Sequence, residues 1–216
     1  MRKRYCLLVP AIILAGVLLS CRTSVEPSPE PGIIRVTLKG ADWDTCIIIQ
    51  NDTSKFSRWD KFDVMVSQGR LYKGEIYAYL YNNPSSARKA SDTANILGRE
   101  WLDGTPITTG DATAITPANS RFRKYLVFES YAPPGTYDNI SLSLVAYEME
   151  IFIPKHYLNP VMLPPDVAPS IDFPGTYTIT ENGVTEVELE LAPYQSLVRY
   201  QDMYYFERKI AVVDVH

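Results

Sequence analysis

Pro174-Gly175-Thr176-Tyr177-Thr178-Ile179-Thr180-Glu181-Asn182-Gly183-Val184-Thr185-Glu186-Val187-Glu188-Leu189-Glu190-Leu191 alternates apolar and polar side chains over most of its length. A period of two marks a strand with one buried face. Val187, Leu189 and Leu191 fall on one side, and Glu186, Glu188 and Glu190 on the other. Asn182-Gly183 punctuates the run, so the stretch predicts a β-hairpin, Thr176 to Thr180 returning as Val184 to Leu191. A two-residue Asn182-Gly183 turn would set Ile179 opposite Glu186. A three-residue Glu181-Asn182-Gly183 loop sets Tyr177 opposite Val187 and Ile179 opposite Thr185. Register follows the buried face, which favours the three-residue loop with Gly183 left-handed. The glutamate row is then expected to face water and discourage edge-to-edge pairing.

The same period recurs outward from this stretch. Ile34, Val36 and Leu38 alternate with Arg35, Thr37 and Lys39, giving a first strand from Ile33 to Lys39. Cys46 to Gln50 is a more apolar second strand, and 51–61 a polar loop with Trp59 as a plug. Phe62 to Ser67 is a third strand. Leu71 to Tyr81 is a long one, with Ile76, Ala78 and Leu80 on one side and Tyr77, Tyr79 and Tyr81 on the other. Ile140 to Tyr147, Glu148 to Ile153, Ser196 to Tyr200 and Met203 to Val215 continue the pattern, the last two separated by Gln201-Asp202. Between them, Ala94, Leu97 and Trp101 stand at helical spacing and predict one short helical insert near 84–102. His156 to Pro174 holds five of the 16 prolines and reads as an irregular surface crossing. About nine strands at short spacing, with Pro/Gly turns, predict an all-β fold. The expected architecture is a single β-sandwich, Ig-like or prealbumin-like, over 33–216.

The N-terminus has a different grammar. Arg2, Lys3 and Arg4 precede an uncharged run from Tyr5 to Leu19, broken by Pro10 and Gly16. It is too short for a stable spanning helix, which needs roughly 20 apolar residues, and it has the proportions of an export signal. Leu18-Leu19-Ser20-Cys21 resembles the lipobox of bacterial lipoproteins. That resemblance implies cleavage after residue 20, acylation of Cys21, and a membrane partner reached through the lipid. Several acyl chains, at about 0.8 kcal/mol per buried methylene, anchor stably. Residues 21–32 follow as a tether, stiffened by Pro27, Pro29 and Pro31 and solvated by Glu26 and Glu30. Arg22 replaces the aspartate that in well-studied envelopes retains a lipoprotein at the inner membrane, so the expected site is the outer membrane of a bacterial cell envelope.

Residues 1–20 carry three of the 21 basic residues and no acidic one, which leaves 18 basic against 25 acidic residues and a net charge near −7. Nothing in that balance invites nucleic acid. Cys46 is the one cysteine left beside Cys21, so the mature chain closes no intramolecular disulfide. His156 and His216 are the only histidines, too few for a conventional zinc site or, without a Gly-x-Ser-x-Gly elbow, for a serine triad. Asp42, Asp44, Asp52, Asp60 and Asp63 invite a calcium reading but do not form the Asp-x-Asp-x-Asp-Gly loop. No cofactor and no enzymatic activity are expected. The compositional oddity is tyrosine, 15 against seven phenylalanines. Tyr77, Tyr79 and Tyr81 form the candidate interface, since aromatic faces stack on sugar rings or on a protein partner. Tyr200, Tyr204, Tyr205 and Phe206 form a second aromatic cluster.

Pro134-Gly135-Thr136-Tyr137-Asp138-Asn139-Ile140-Ser141-Leu142, the second Pro-Gly-Thr-Tyr at 174–177, and the terminal Tyr204 to Val215 strand together resemble a group of uncharacterised bacterial lipoprotein domains. In that group a lipobox leads into a sandwich related to prealbumin-like and carboxypeptidase-regulatory-like modules. The resemblance offers no catalytic residues, and the reading that the chain as a whole favours is a lipid-anchored envelope protein presenting a non-catalytic binding module for an unknown protein or glycan. A periplasmic assembly accessory and a carboxylate-based hydrolase of envelope polymers are the alternatives.

Overall fold

The structure, a computed structural model, describes residues 28–44, 46–49, 52–55, 61–81, 93–95, 97–101, 120–150, 161–201 and 203–216. Sixteen strands and no helix occur among them. They are β1 (Gly32–Gly40), β2 (Cys46–Ile49), β3 (Asp52–Lys55), β4 (Lys61–Lys73), β5 (Ile76–Leu80), β6 (Thr93–Asn95), β7 (Arg99–Trp101), β8 (Ser120–Phe122), β9 (Tyr125–Ala132), β10 (Gly135–Glu150), β11 (Val161–Met162), β12 (Ser170–Ile179), β13 (Val184–Leu191), β14 (Leu197–Tyr200), β15 (Met203–Phe206) and β16 (Ile210–Val215). One main sheet runs β16-β13-β1-β9 and the other β12-β10-β4-β5, with β6 also on β4. The inner faces meet in a single core. Ile34, Val36, Leu38, Phe128, Val187 and Leu189 come from the first sheet, and Phe62, Val64, Leu71, Ile140, Leu142 and Tyr177 from the second. The chain is an all-β sandwich.

The expected hairpin over Thr176 to Leu191 does not form. β12 pairs with β10, whereas β13 lies in the opposite sheet between β1 and β16. The chain crosses between the sheets at 180–183, so Tyr177 and Ile179 face Val187 and Leu189 across the core instead of beside them in one sheet. Alternation states which side of a strand is buried and not which strand supplies its hydrogen bonds. Asn182, at φ 53°, takes the left-handed position assigned to Gly183, a conformation asparagine tolerates.

The neighbour that β13 takes instead is β1, in parallel, with Arg35 beside Glu186, Thr37 beside Glu188 and Lys39 beside Glu190. The glutamate row is therefore not an edge in water. Arg35 Nη1 reaches Glu186 Oε1 at 3.3 Å and Nε reaches Glu129 Oε2 at 2.6 Å. Lys39 Nζ lies 2.9 Å from Glu188 Oε1 and 3.5 Å from Glu190 Oε2, and Lys124 holds the other oxygen of Glu188. His216 also belongs to this ladder: its N–H donates to the Glu186 carbonyl and its own carbonyl accepts from the Glu186 N–H.

Four further expectations change. Leu71 to Tyr81 is not one strand, because the chain turns at Gly74 (φ 61°) to pair β5 back onto β4. Met203 to Val215 is not one strand either; it breaks before Ile210, with Arg208 at φ 54°, and its halves join different sheets. The polar 51–61 stretch contains β3, paired with β2, while Trp59 lies outside the described residues. Of the helical insert near 84–102, residues 84–92, 96 and 102 lie outside the described residues. Among the others, β6 lies on the edge of β4 and β7 pairs with β8. A short amphipathic run cannot outweigh the ladder hydrogen bonds that an open strand edge offers it.

Burial alone would raise the Glu188 carboxyl, but hydrogen bonds from Lys124 and Lys39 hold it below the usual carboxylate range. A depressed folded pKa stabilises the fold above the unfolded value of about 4.3, and this contribution is lost as pH falls through the folded value. Glu188→Gln is expected to cost about 1 to 3 kcal/mol at pH 7. Its urea midpoint should converge on that of the wild type as the buffer is taken below pH ~4. A constant gap across that range would contradict the assignment.

Candidate functional site

β4 begins with its even-numbered residues inward: Phe62, Val64 and Val66 are buried. After Ser67, Gln68 turns left-handed (φ 52°), and Gln68 and Gly69 together oppose Leu142 of β10. This is a β-bulge, and it reverses the parity of the strand. Leu71 now points into the core, while Arg70 and Tyr72 emerge on the outer face. Gly69 permits the switch, because a Cβ there would stand 2.8 Å from Leu80 Cβ and 2.9 Å from the Phe128 ring. A second register shift, around Asp138 of β10, brings Asn139, Ser141 and Ser143 onto the same outer face.

Backbone register then lines up two rows across four strands. Asp172, Ser141, Arg70 and Tyr79 form one, and Pro174, Asn139, Tyr72 and Tyr77 the other. Directly opposed residues in such rows have Cβ atoms about 5 Å apart, within mutual reach. Pro174 is accommodated because β12 is an edge strand.

At one end of these rows the aromatic residues close on Arg70. Its guanidinium carbon sits 4.9 Å from the Tyr77 ring centroid and 5.8 Å from that of Tyr79. The Tyr77 and Tyr79 rings meet edge to face at 5.1 Å, with their hydroxyls 3.2 Å apart. Tyr72 lies against Tyr77 at 5.5 Å, and its hydroxyl accepts a hydrogen bond from Arg70 Nη1 at 3.4 Å. That bond raises the guanidinium pKa above its ordinary value, and the hydroxyl of Tyr79 raises that of Tyr77. Arg70 makes no ion pair among the described residues.

Two of the three predicted tyrosines thus belong to one cluster. Tyr77 and Tyr79 are 41% and 51% exposed. Tyr81 is exposed too but stands past the end of β5, where its backbone binds the other sheet: its N–H donates to Ser130 Oγ and its carbonyl accepts from Glu129. Arg70 and Tyr72 were not anticipated. The signal for them is the lone Gly69 inside a strand pattern, the usual mark of a bulge.

Other tyrosines serve the core. The two Pro-Gly-Thr-Tyr segments lie antiparallel, with Tyr137 opposite Tyr177. Each hydroxyl donates to the carbonyl four residues earlier, Tyr137 to Pro133 at 2.7 Å and Tyr177 to Phe173 at 3.0 Å. In the terminal cluster Tyr204 and Phe206 are buried, Phe206 edge to face on Phe62, while Tyr200 is exposed. Of the aspartates weighed for calcium, Asp44 accepts the N–H groups of Tyr194 and Gln195 and Asp42 that of Phe122, so both tie loops together. Asp60 and His156 lie outside the described residues. Among the described residues, no group of three or more His, Cys, Asp or Glu side chains could hold a metal ion.

No protein-family model, no curated protein and no solved structure matches this chain.

Exposed and buried tyrosines should separate cleanly on substitution. Tyr79→Ala is expected to change stability by no more than about 1 kcal/mol. Tyr177→Ala, which empties a core position and removes the Phe173 contact, should cost about 3 to 5 kcal/mol. Equilibrium urea unfolding of both variants checks this, and equal costs would place Tyr79 in the load of the fold.

Proposed function

We propose that this chain is a lipid-anchored lipoprotein of a bacterial cell envelope, presenting its β-sandwich as a non-catalytic binding module. The observation that carries the reading is Leu18-Leu19-Ser20-Cys21, behind Arg2-Lys3-Arg4 and a short apolar run. The fold is compatible with it. The proline-bearing segment enters the sandwich at Gly32, the first residue of a strand flanked on both sides, so a pull on the tether is taken by two ladders. Glu30 N–H donates to Glu181 Oε1 and Ile33 N–H to the Gly183 carbonyl, which holds this entry against the crossing at 180–183. The Arg70 cluster sits on the sheet that the tether does not enter. A domain held off a bilayer in this way offers that face to a ligand, and Arg22 after the anchor favours the outer membrane.

Metabolic labelling with an alkyne-tagged palmitate tests the anchor. The wild-type chain expressed in a bacterium should take up label and fractionate with the outer membrane. Cys21→Ala should lose the label completely and accumulate as the longer, unprocessed form. Wild-type chain without label would sink the proposal.

A further inference from the structure

We infer that the outer face of the β12-β10-β4-β5 sheet binds a carbohydrate that carries an isolated carboxylate, the sugar ring against Tyr77 and Tyr79 and the acid group on Arg70. This deepens the reading of the domain as a binding module and rests on it. Three features of the face point to the ligand.

The first is the cation. Arg70 lies within cation–π distance of two tyrosine rings and makes one hydrogen bond, to Tyr72, with no carboxylate partner among the described residues. By contrast, Arg35, Lys39 and Lys124 are met by Glu129, Glu186, Glu188 and Glu190 along the β1-β13 ladder of the other sheet. These contacts hold the guanidinium in place, and with Nε buried and Nη1 on Tyr72 they leave Nη2 as the donor toward a ligand carboxylate.

The second is the composition of the rows. Beside Arg70 they present phenol, hydroxyl and amide groups: Tyr72, Tyr77 and Tyr79, then Asn139 and Ser141. Sugar rings place C–H faces on aromatic side chains and their hydroxyls on such polar groups. Beyond the tyrosines, the rows continue in Asn139, Ser141 and Asp172, which offer a protein partner no apolar surface to desolvate. Strand addition at Arg70 itself is blocked, because β4 and β10 are each paired on both sides along these rows.

The third is the charge around the site. Arg70 stands on an acidic chain, with Asp138 and Asp172 exposed nearby. One guanidinium neutralises one acid group, while a densely charged polymer would be repelled by the rest of the surface. The ligand is therefore sparsely acidic, of the uronic-acid or sialic-acid kind, and not polysulfated.

A glycan array probed with the full chain in detergent tests this. It should hold neutral, singly acidic and polysulfated oligosaccharides. Retention of singly acidic members over both other sets is expected. Arg70→Gln should weaken that retention about tenfold or more, the loss of one charge-assisted contact, and Tyr79→Ala should abolish it. Reducing the carboxyl of a retained oligosaccharide to the alcohol should reproduce the Arg70→Gln effect without touching the protein, which keeps the test decisive if that variant misfolds. A folded wild-type chain that retains no acidic member overturns the inference. So does one that holds neutral and acidic members equally, or that is indifferent to carboxyl reduction. The array reads the face and palmitate labelling reads the anchor, so one can fail while the other stands.

Discussion

The parallel pairing of β1 with β13 is the contact on which the sandwich depends. Arg35 and Glu186 are 151 residues apart in sequence, yet they are neighbours across this ladder. Closing so long a loop carries a large entropic cost, which local turns cannot offset. Two matched features repay it. The inner sides, Ile34-Val36-Leu38 and Val187-Leu189-Leu191, are fully apolar. The outer sides set a basic row against an acidic one, bridged further by Glu129 and Lys124. An exposed ion pair is worth little, but these are part-buried and form a network, and their larger role is to select the partner strand. Once β13 is seated beside β1, β12 is left to the opposite sheet.

Bulges decide what the second sheet shows to solvent. Without the extra residue at Gln68-Gly69, Arg70 and Tyr72 would continue the inward parity of Phe62, Val64 and Val66, and Leu71 would be exposed. An arginine forced toward an apolar core would be costly to desolvate. The bulge solves the packing problem of β4 and, by the same step, builds the cation-aromatic cluster. The two shifts, one in β4 and one in β10, act together, because residues from both strands share the face.

Tyrosine serves two ends in this molecule. At Tyr137 and Tyr177 the ring fills the core and the hydroxyl ties off a backbone carbonyl at the strand entrance. At Tyr77 and Tyr79 the rings stand out of the sheet and their hydroxyls meet each other. The amphipathic side chain suits both, since its body is apolar and its tip polar. Composition therefore could count the tyrosines but not sort them.

By itself the sequence determined the all-β class, the buried side of most strands, and the pairing of Tyr77 with Tyr79 on one side of theirs. These follow from period-two alternation, a property of the strand alone. It did not determine strand partners. The Pro174 to Leu191 stretch buries the same residues whether it folds as a hairpin or as a crossing between sheets, so its pattern is equally satisfied by both. Nor did it place Arg70, whose side depends on a bulge that only the core around Gly69 and Phe128 makes necessary. The tertiary structure chose in both cases, because charge complementarity between distant strands and close packing across the core act on pairs of elements, which a reading along one chain does not see.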